Sequence, residues 1–170
     1  LNRLYDQNKV HIEIMHGDIT ADLSIDPSDI ASALGDIVKH YAATMHFSQV
    51  DFQKVIHLVD MDGAFIPETA IVDKADAEKP LYSLTDIQTS KPEKLALRNK
   101  HKQSKLDRIS GLKKAWQSIP FQAYYMSCNL DHVLYGKQNS TDEEKENDAY
   151  AFAKQYKDDI DGFLTFISDS

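Results

Sequence analysis

From Lys9 to His16 the chain alternates, with Val10, Ile12 and Ile14 on one face and His11, Glu13 and Met15 on the other. A period of two predicts a half-buried strand there. Gly17 to Ser24 reads as a loop. Asp26-Pro27-Ser28-Asp29 is a helix start, with Asp26 as N-cap, Pro27 at the first helical position and Asp29 in capping-box position. Ile30, Leu34, Ile37, Tyr41 and Met45 follow at helical spacing and define a buried stripe. Val55 to Val59 is nearly all apolar, the pattern of a strand covered on both faces in a parallel sheet. Strand, helix and strand in that order predict a βαβ unit.

Gly63 to Ser90 contains Pro67 and Pro80 and reads as an excursion with short strands near Ala70 to Val72 and Leu81 to Leu84. Lys94 to Gln117 is predicted as a basic helix with apolar points at Leu95, Leu97, Leu106, Ile109, Leu112 and Trp116, weakened at Gly111 and ended by Pro120. Phe121 to Met126 is an aromatic-rich strand. Leu130 to Tyr135 is a short helix closed by Gly136. Thr141 to Glu144 is a capping box opening a last helix, with Ala149, Phe152, Ala153, Tyr156, Ile160 and Phe163 on one side. The elements predict a single α/β domain over 1–170: a three-layer sandwich on a mainly parallel central sheet, with strands near 9–16, 55–60 and 121–126.

Composition sets the class. With 42% hydrophobic and 27% charged residues in 170, a core forms without disulfides or structural metal. The lone cysteine, Cys128, excludes an internal disulfide and points to a reducing compartment, the cytoplasm. No apolar run approaches the roughly 20 residues of a membrane span, so no membrane partner is expected. Leu1 to Val10 is too polar for a signal peptide. Leu1 to Asn8 reads like the tail of a helix already under way, which predicts a piece of a longer parent chain.

Charge is unevenly spread. Nine basic residues between Lys91 and Lys114 face only Glu93 and Asp107, a local +7 in a chain of net −8. Either this is a solvated helix face, or DNA or RNA phosphates lie along 91–114, with Lys100, Lys102, Lys105 and Arg108 as the contacts. Oligomeric state is not legible.

The sharpest chemical signal is Val55 to Phe65, VIHLVDMDGAF. Ligand sites in parallel α/β sheets lie at the carboxyl ends of strands, where Asp60 and Asp62 fall. Two such carboxylates repel, and Mg²⁺ or Mn²⁺ relieves the repulsion. Gly63 lets the backbone turn beside them. The bland alternative is a pair of solvated or capping aspartates. Ser127 to Asp131 follows a second strand and is expected on the same edge. There Asp131 supplies a third carboxylate, and Ser127 and Asn129 either touch a phosphate or simply cap the helix. Cys128 and His132 lie four apart beside Asp131, but a lone cysteine is usually a small hydrophobe. The histidines show no zinc spacing, and no phosphate-binding glycine loop is present.

Asp60-Met61-Asp62, a basic helix, a strand and then Ser127-Cys128-Asn129-Leu130-Asp131-His132-Val133-Leu134 resemble the Toprim domain of RloB-like proteins and overcoming-lysogenization-defect nucleases. The likeness covers residues 55–135. It implies Asp60 and Asp62 as metal-binding aspartates, Leu130 at the place of an aromatic, and Asp131 at the place of a glutamate. It further implies Mg²⁺-dependent phosphodiester cleavage of nucleic acid, of the kind used in phage or mobile-element defence. That family's first motif, a strand ending in Glu-Gly, has its nearest counterpart at His16-Gly17-Asp18. Asp18 or Glu13 substitutes for the acid, or the motif lies upstream of Leu1. The DxDG turn also resembles haloacid-dehalogenase-like phosphatases, which would make Asp60 a nucleophile and Asp62 a general acid/base. A catalytically inactive interaction module is the third alternative.

Overall fold

The computed structural model describes residues 17–128 and 130–169. The strand expected over 9–16, and Asn129, lie outside them. Contacts divide the chain into two compact units, residues 17–139 forming one and 140–169 belonging to the other.

The first unit is mixed α/β. A 3-10 turn at Pro27–Asp29, whose N-cap Asp26 accepts from Ser28 N at 2.8 Å, leads into α1 (Ile30–Thr44). Strand β1 (Val55–Asp60) precedes the short strands β2 (Ile71–Asp73), β3 (Leu81–Tyr82) and β4 (Ile87–Thr89). Helix α2 (Pro92–Gly111) then runs into β5 (Lys114–Ala115), β6 (Ile119–Met126) and α3 (Leu130–Tyr135). Gly136, at φ 67°, closes α3 by donating to His132 O at 3.0 Å.

Among the described residues two three-stranded mixed sheets form, in the orders β1-β6-β5 and β2-β4-β3. This corrects the expected three-layer sandwich on one mainly parallel sheet. The parallel pairing of β1 with β6 is present, in register from Val55 with Phe121 to Asp60 with Met126. The physical reason for the difference lies on both sides of β6. Beyond α2 the chain turns through Trp116 and Gln117, both at positive φ (40° and 66°), so β5 pairs antiparallel with β6. Residues 71–89 close a separate sheet. Its edge strand β3 is clamped by Asn139, whose side-chain amide exchanges two 2.7 Å hydrogen bonds with the Tyr82 backbone.

Helix α2 is the spine of this unit, packing on the 3-10 turn, α1, β2 and β4. Leu106 on α2 joins Val59 of β1 and Ala64 in one buried cluster, with Met61 against it. Val59 therefore faces α2. On the opposite face of β1, Ile56 is 58% and Leu58 64% exposed, against the expectation of burial on both sides. On α1, Ile30, Leu34 and Ala42 are buried, whereas Met45, as C-cap, is 43% exposed.

In the second unit α4 (Asp142–Gln155) starts at the expected capping box: Thr141 Oγ1 accepts from Glu144 N, and Glu144 Oε2 accepts from Thr141 N. The single last helix expected there is two, since α5 (Ile160–Asp169) begins after a break. The break lets Phe152, Tyr156, Phe163 and Phe166 pack as a cluster of tilted and edge-on rings.

Candidate functional site

Parallel pairing continues past the strand ends. Met61 N donates to Met126 O at 3.0 Å, and Asp62 N to Cys128 O at 2.9 Å. The DxDG turn and the Ser127-Cys128 turn therefore meet at the carboxyl edge of the β1/β6 pair. Met61 to Ala64 is a tight turn, closed by Ala64 N donating to Met61 O at 2.9 Å, with Asp62 and Gly63 at φ 46° and 69°. Positive φ at both central positions defines a type I′ turn, for which Asp-Gly is a favoured pair. Gly63 is also held by space, because a Cβ there would sit 2.6 Å from Ile87 Cδ1.

Asp62's carboxylate is ion-paired. Lys102 Nζ lies 2.7 Å from Asp62 Oδ2 and 2.5 Å from Asp18 Oδ2. The lysine side chain is 0% exposed, Asp62 24% and Asp18 36%. Beside it, Arg98 Nη2 donates to Asp62 O at 2.9 Å and to Asn99 Oδ1, while Asn99 Nδ2 donates to Gly63 O at 3.3 Å. The turn is thus braced from α2 by Arg98, Asn99 and Lys102.

Asp18 reaches the centre from a loop made of three similar turns. Asp18, Asp22 and Asp26 each accept, on Oδ1, from the backbone N–H and hydroxyl of the Thr or Ser two residues on. The signal was present in the sequence as Asp-x-Thr/Ser repeated every four residues. Lys105 straps this loop to α2, its Nζ donating to Asp22 O at 2.5 Å and facing Ile19 O at 3.4 Å.

Lys102 and Lys105 thus correct the expected phosphate contacts. Among the described residues they are the two largest fully buried side chains, with ammoniums directed at internal oxygens. Lys100 and Arg108 are exposed. Helical periodicity separates the pairs, since 102 and 105 fall on the stripe with Leu95, Leu106 and Ile109.

Charges follow this packing. Burial would raise the Asp18 carboxyl, but hydrogen bonds from Lys102 and Thr20 outweigh it and hold it below the ordinary value. Burial lowers the His57 imidazole against the opposing pull of Asp18. Burial raises the Cys128 thiol, as do Asp62 and Asp60, with Lys102 opposing. A thiol held neutral is a poor nucleophile. His132, for its part, has Nδ1 at 3.2 Å from Ser127 O.

Ser127 is exposed on the same edge, and Asp131 is in the first turn of α3. Among the described residues no group of three or more His, Cys, Asp or Glu side chains is placed to hold a metal ion, so Asp131 does not complete a ligand set with Asp60 and Asp62. The acid that does converge with Asp62 is Asp18. The point where their oxygens meet is filled by the Lys102 ammonium, which balances both carboxylates. Comparison with family models, with curated proteins and with solved structures gives no match to the chain.

Proposed function

We propose that the chain carries out divalent-metal-dependent phosphodiester chemistry on nucleic acid, as a Toprim-like, nuclease-type domain centred on Asp60 and Asp62. The observation that carries the reading is the meeting of the DxDG turn with the Ser127-Cys128 turn at the carboxyl edge of the parallel β1/β6 pair. In this reading Asp18 takes the part of the missing glutamate. The parallel pairing of β1 with β6 supports this reading.

Asp60 and Asp62 would hold Mg²⁺ or Mn²⁺, which when bound would supply charge neutralisation at phosphoryl oxygens and a lowered pKa for attached water. Lys102 keeps the carboxylates oriented and their repulsion balanced. Arg98 fixes the Asp62 carbonyl and so the direction of the turn. Ser127, exposed across the edge, would donate to a phosphate.

One observation favours a second reading. A buried lysine on the second aspartate of DxD also fits a phosphatase of the haloacid-dehalogenase kind, acting on monoesters. The test is incubation with Mg²⁺ and plasmid DNA, RNA or para-nitrophenyl phosphate, beside Asp60→Asn. Nucleic-acid cleavage that disappears in the variant supports the proposal. Release from the monoester alone moves the assignment to the phosphatase, and silence on all three moves it to a binding module.

A further inference from the structure

Beyond the acid centre, the wall of α2 and the segment after the DxDG turn enclose a groove of about 390 Å³. Its lining includes Phe65, Ile66, Glu68, Asn99, Lys100 and Gln103. That volume lies at the lower end of the roughly 300–1,000 Å³ typical of small-ligand sites. Phe65 is 49% exposed although it follows a turn packed into the core. Lys100 and Gln103, both exposed, line the groove from α2. The groove begins where the acid centre ends, because Asn99, on its wall, donates to Gly63 O.

We propose that this groove takes an unstacked nucleobase of a single-stranded nucleic acid, next to the phosphodiester presented to Asp60 and Asp62. The inference rests on the nucleic-acid reading above and deepens it by naming the strand form and the base contact. Each wall matches one part of a nucleotide. The Phe65 ring offers a stacking face. Gln103 presents both a donor and an acceptor to a base edge, and Glu68 presents an acceptor for an exocyclic amine. Lys100 supplies the positive charge for the adjoining phosphate. A duplex keeps its bases stacked inside and cannot fill such a groove, so single strands are the preferred form.

The test is binding without cleavage: fluorescence anisotropy of labelled oligo(dC), oligo(dT) and a duplex, in EDTA at low salt, with wild type, Phe65→Ala, Phe65→Trp and Glu68→Gln. Phe65→Ala is expected to weaken oligo(dC) binding about tenfold, within the range of one base stack. Phe65→Trp restores it, and the introduced indole is quenched on binding. Oligo(dC) binds more tightly than oligo(dT), and Glu68→Gln narrows the gap. Unfolding midpoints of all variants check that a half-exposed ring was changed without loss of the fold. Binding of oligo(dC) by wild type and Phe65→Ala alike overturns the groove while leaving the nucleic-acid reading intact. Absence of any oligonucleotide binding by wild type overturns both, and a preference for duplex overturns the single-strand assignment.

Discussion

Lys102 Nζ and Asp62 Oδ2 meet at 2.7 Å although 40 positions separate them in the chain. The contact fixes helix α2 against the turn that carries the paired aspartates, and the same ammonium takes hold of Asp18. A buried cation between two carboxylates is held by geometry: each charge is expensive to bury alone, and each becomes tolerable only beside the others.

Removing the ammonium exposes that dependence. Lys102→Met keeps the length and apolar stem but leaves Asp18 and Asp62 facing each other. Breaking a buried pair typically costs about 3–5 kcal/mol, and the partial exposure of both acids places the expected loss near the lower end of that range. Urea unfolding at neutral pH measures it. A loss below roughly 0.5 kcal/mol, the scale of ordinary surface changes, would show that the bridge does not hold the turn.

Acid should loosen the same region in two steps. The His57 imidazole is held below its ordinary 6.5, chiefly by burial, so the unfolded chain takes the proton first. Stability is then full above pH 6.5 and declines as pH falls through the folded value. His57→Leu is expected to flatten that part of the curve. Asp18 is held below 3.8, so its contribution persists above that value and is lost only on further acidification. Asp18→Asn should cost about 1 kcal/mol at neutral pH, discounted for solvent screening, and the gap should close as pH drops below 3.8. Unfolding midpoints from neutral pH into acid give both readings. An unchanged slope in His57→Leu, or a gap for Asp18→Asn that widens in acid, contradicts the assignment.

The turn itself separates conformation from charge. Asp62 sits at φ 46°, a region that Asn tolerates and Ala does not. Asp62→Asn therefore loses the ion pair alone, whereas Asp62→Ala adds a backbone cost of about 1–2 kcal/mol. Gly63→Ala combines the same cost with a clash on Ile87 and should be the most destabilised of the three. The order of thermal midpoints checks this. Gly63→Ala melting with wild type would mean the turn relaxes freely.

The elements that could be read from sequence were those with local signals. The strands over 55–60 and 121–126 announce themselves by apolar and aromatic runs, Asp26 and Thr141 by capping chemistry, and Gly136 by its place after a short helix, whereas Pro120, expected to end a helix, lies inside β6. What the pattern could not supply was what lies outside a strand: Ile56 and Leu58 look like core and are exposed. The turn at Trp116-Gln117 lacks the usual Gly or Asn at positive φ, so β5 was hidden inside an expected helix. At the site, the meeting of the Asp60-Met61-Asp62 turn with Ser127-Cys128 was legible because each follows a strand expected in one parallel sheet. The approach of Asp18 to Asp62 was not legible, because the partner that draws both in, Lys102, looked like surface charge. Net charge counts lysines without saying which way they point.

That distinction yields the last prediction. Of the four residues read as a phosphate-binding set, only Lys100 and Arg108 reach solvent. Lys100→Glu with Arg108→Glu should leave the unfolding free energy within roughly 0.5 kcal/mol of wild type while weakening oligonucleotide binding. The dependence of log K on log salt should flatten by about 0.9 for each duplex phosphate that is no longer neutralised. Lys105→Glu should behave oppositely. Its carboxylate would face the carbonyls of Asp22 and Ile19 inside the protein. Burying an unpaired charge beside two acceptors costs several kcal/mol, enough to unfold a domain of ordinary stability. Electrophoretic shifts in rising salt, beside circular dichroism of each variant, read both effects. Wild-type affinity in the Lys100→Glu/Arg108→Glu variant would reduce the exposed basic face of α2 to solvated charge. A folded Lys105→Glu variant with weakened nucleic-acid binding would return that lysine to the phosphate-binding set.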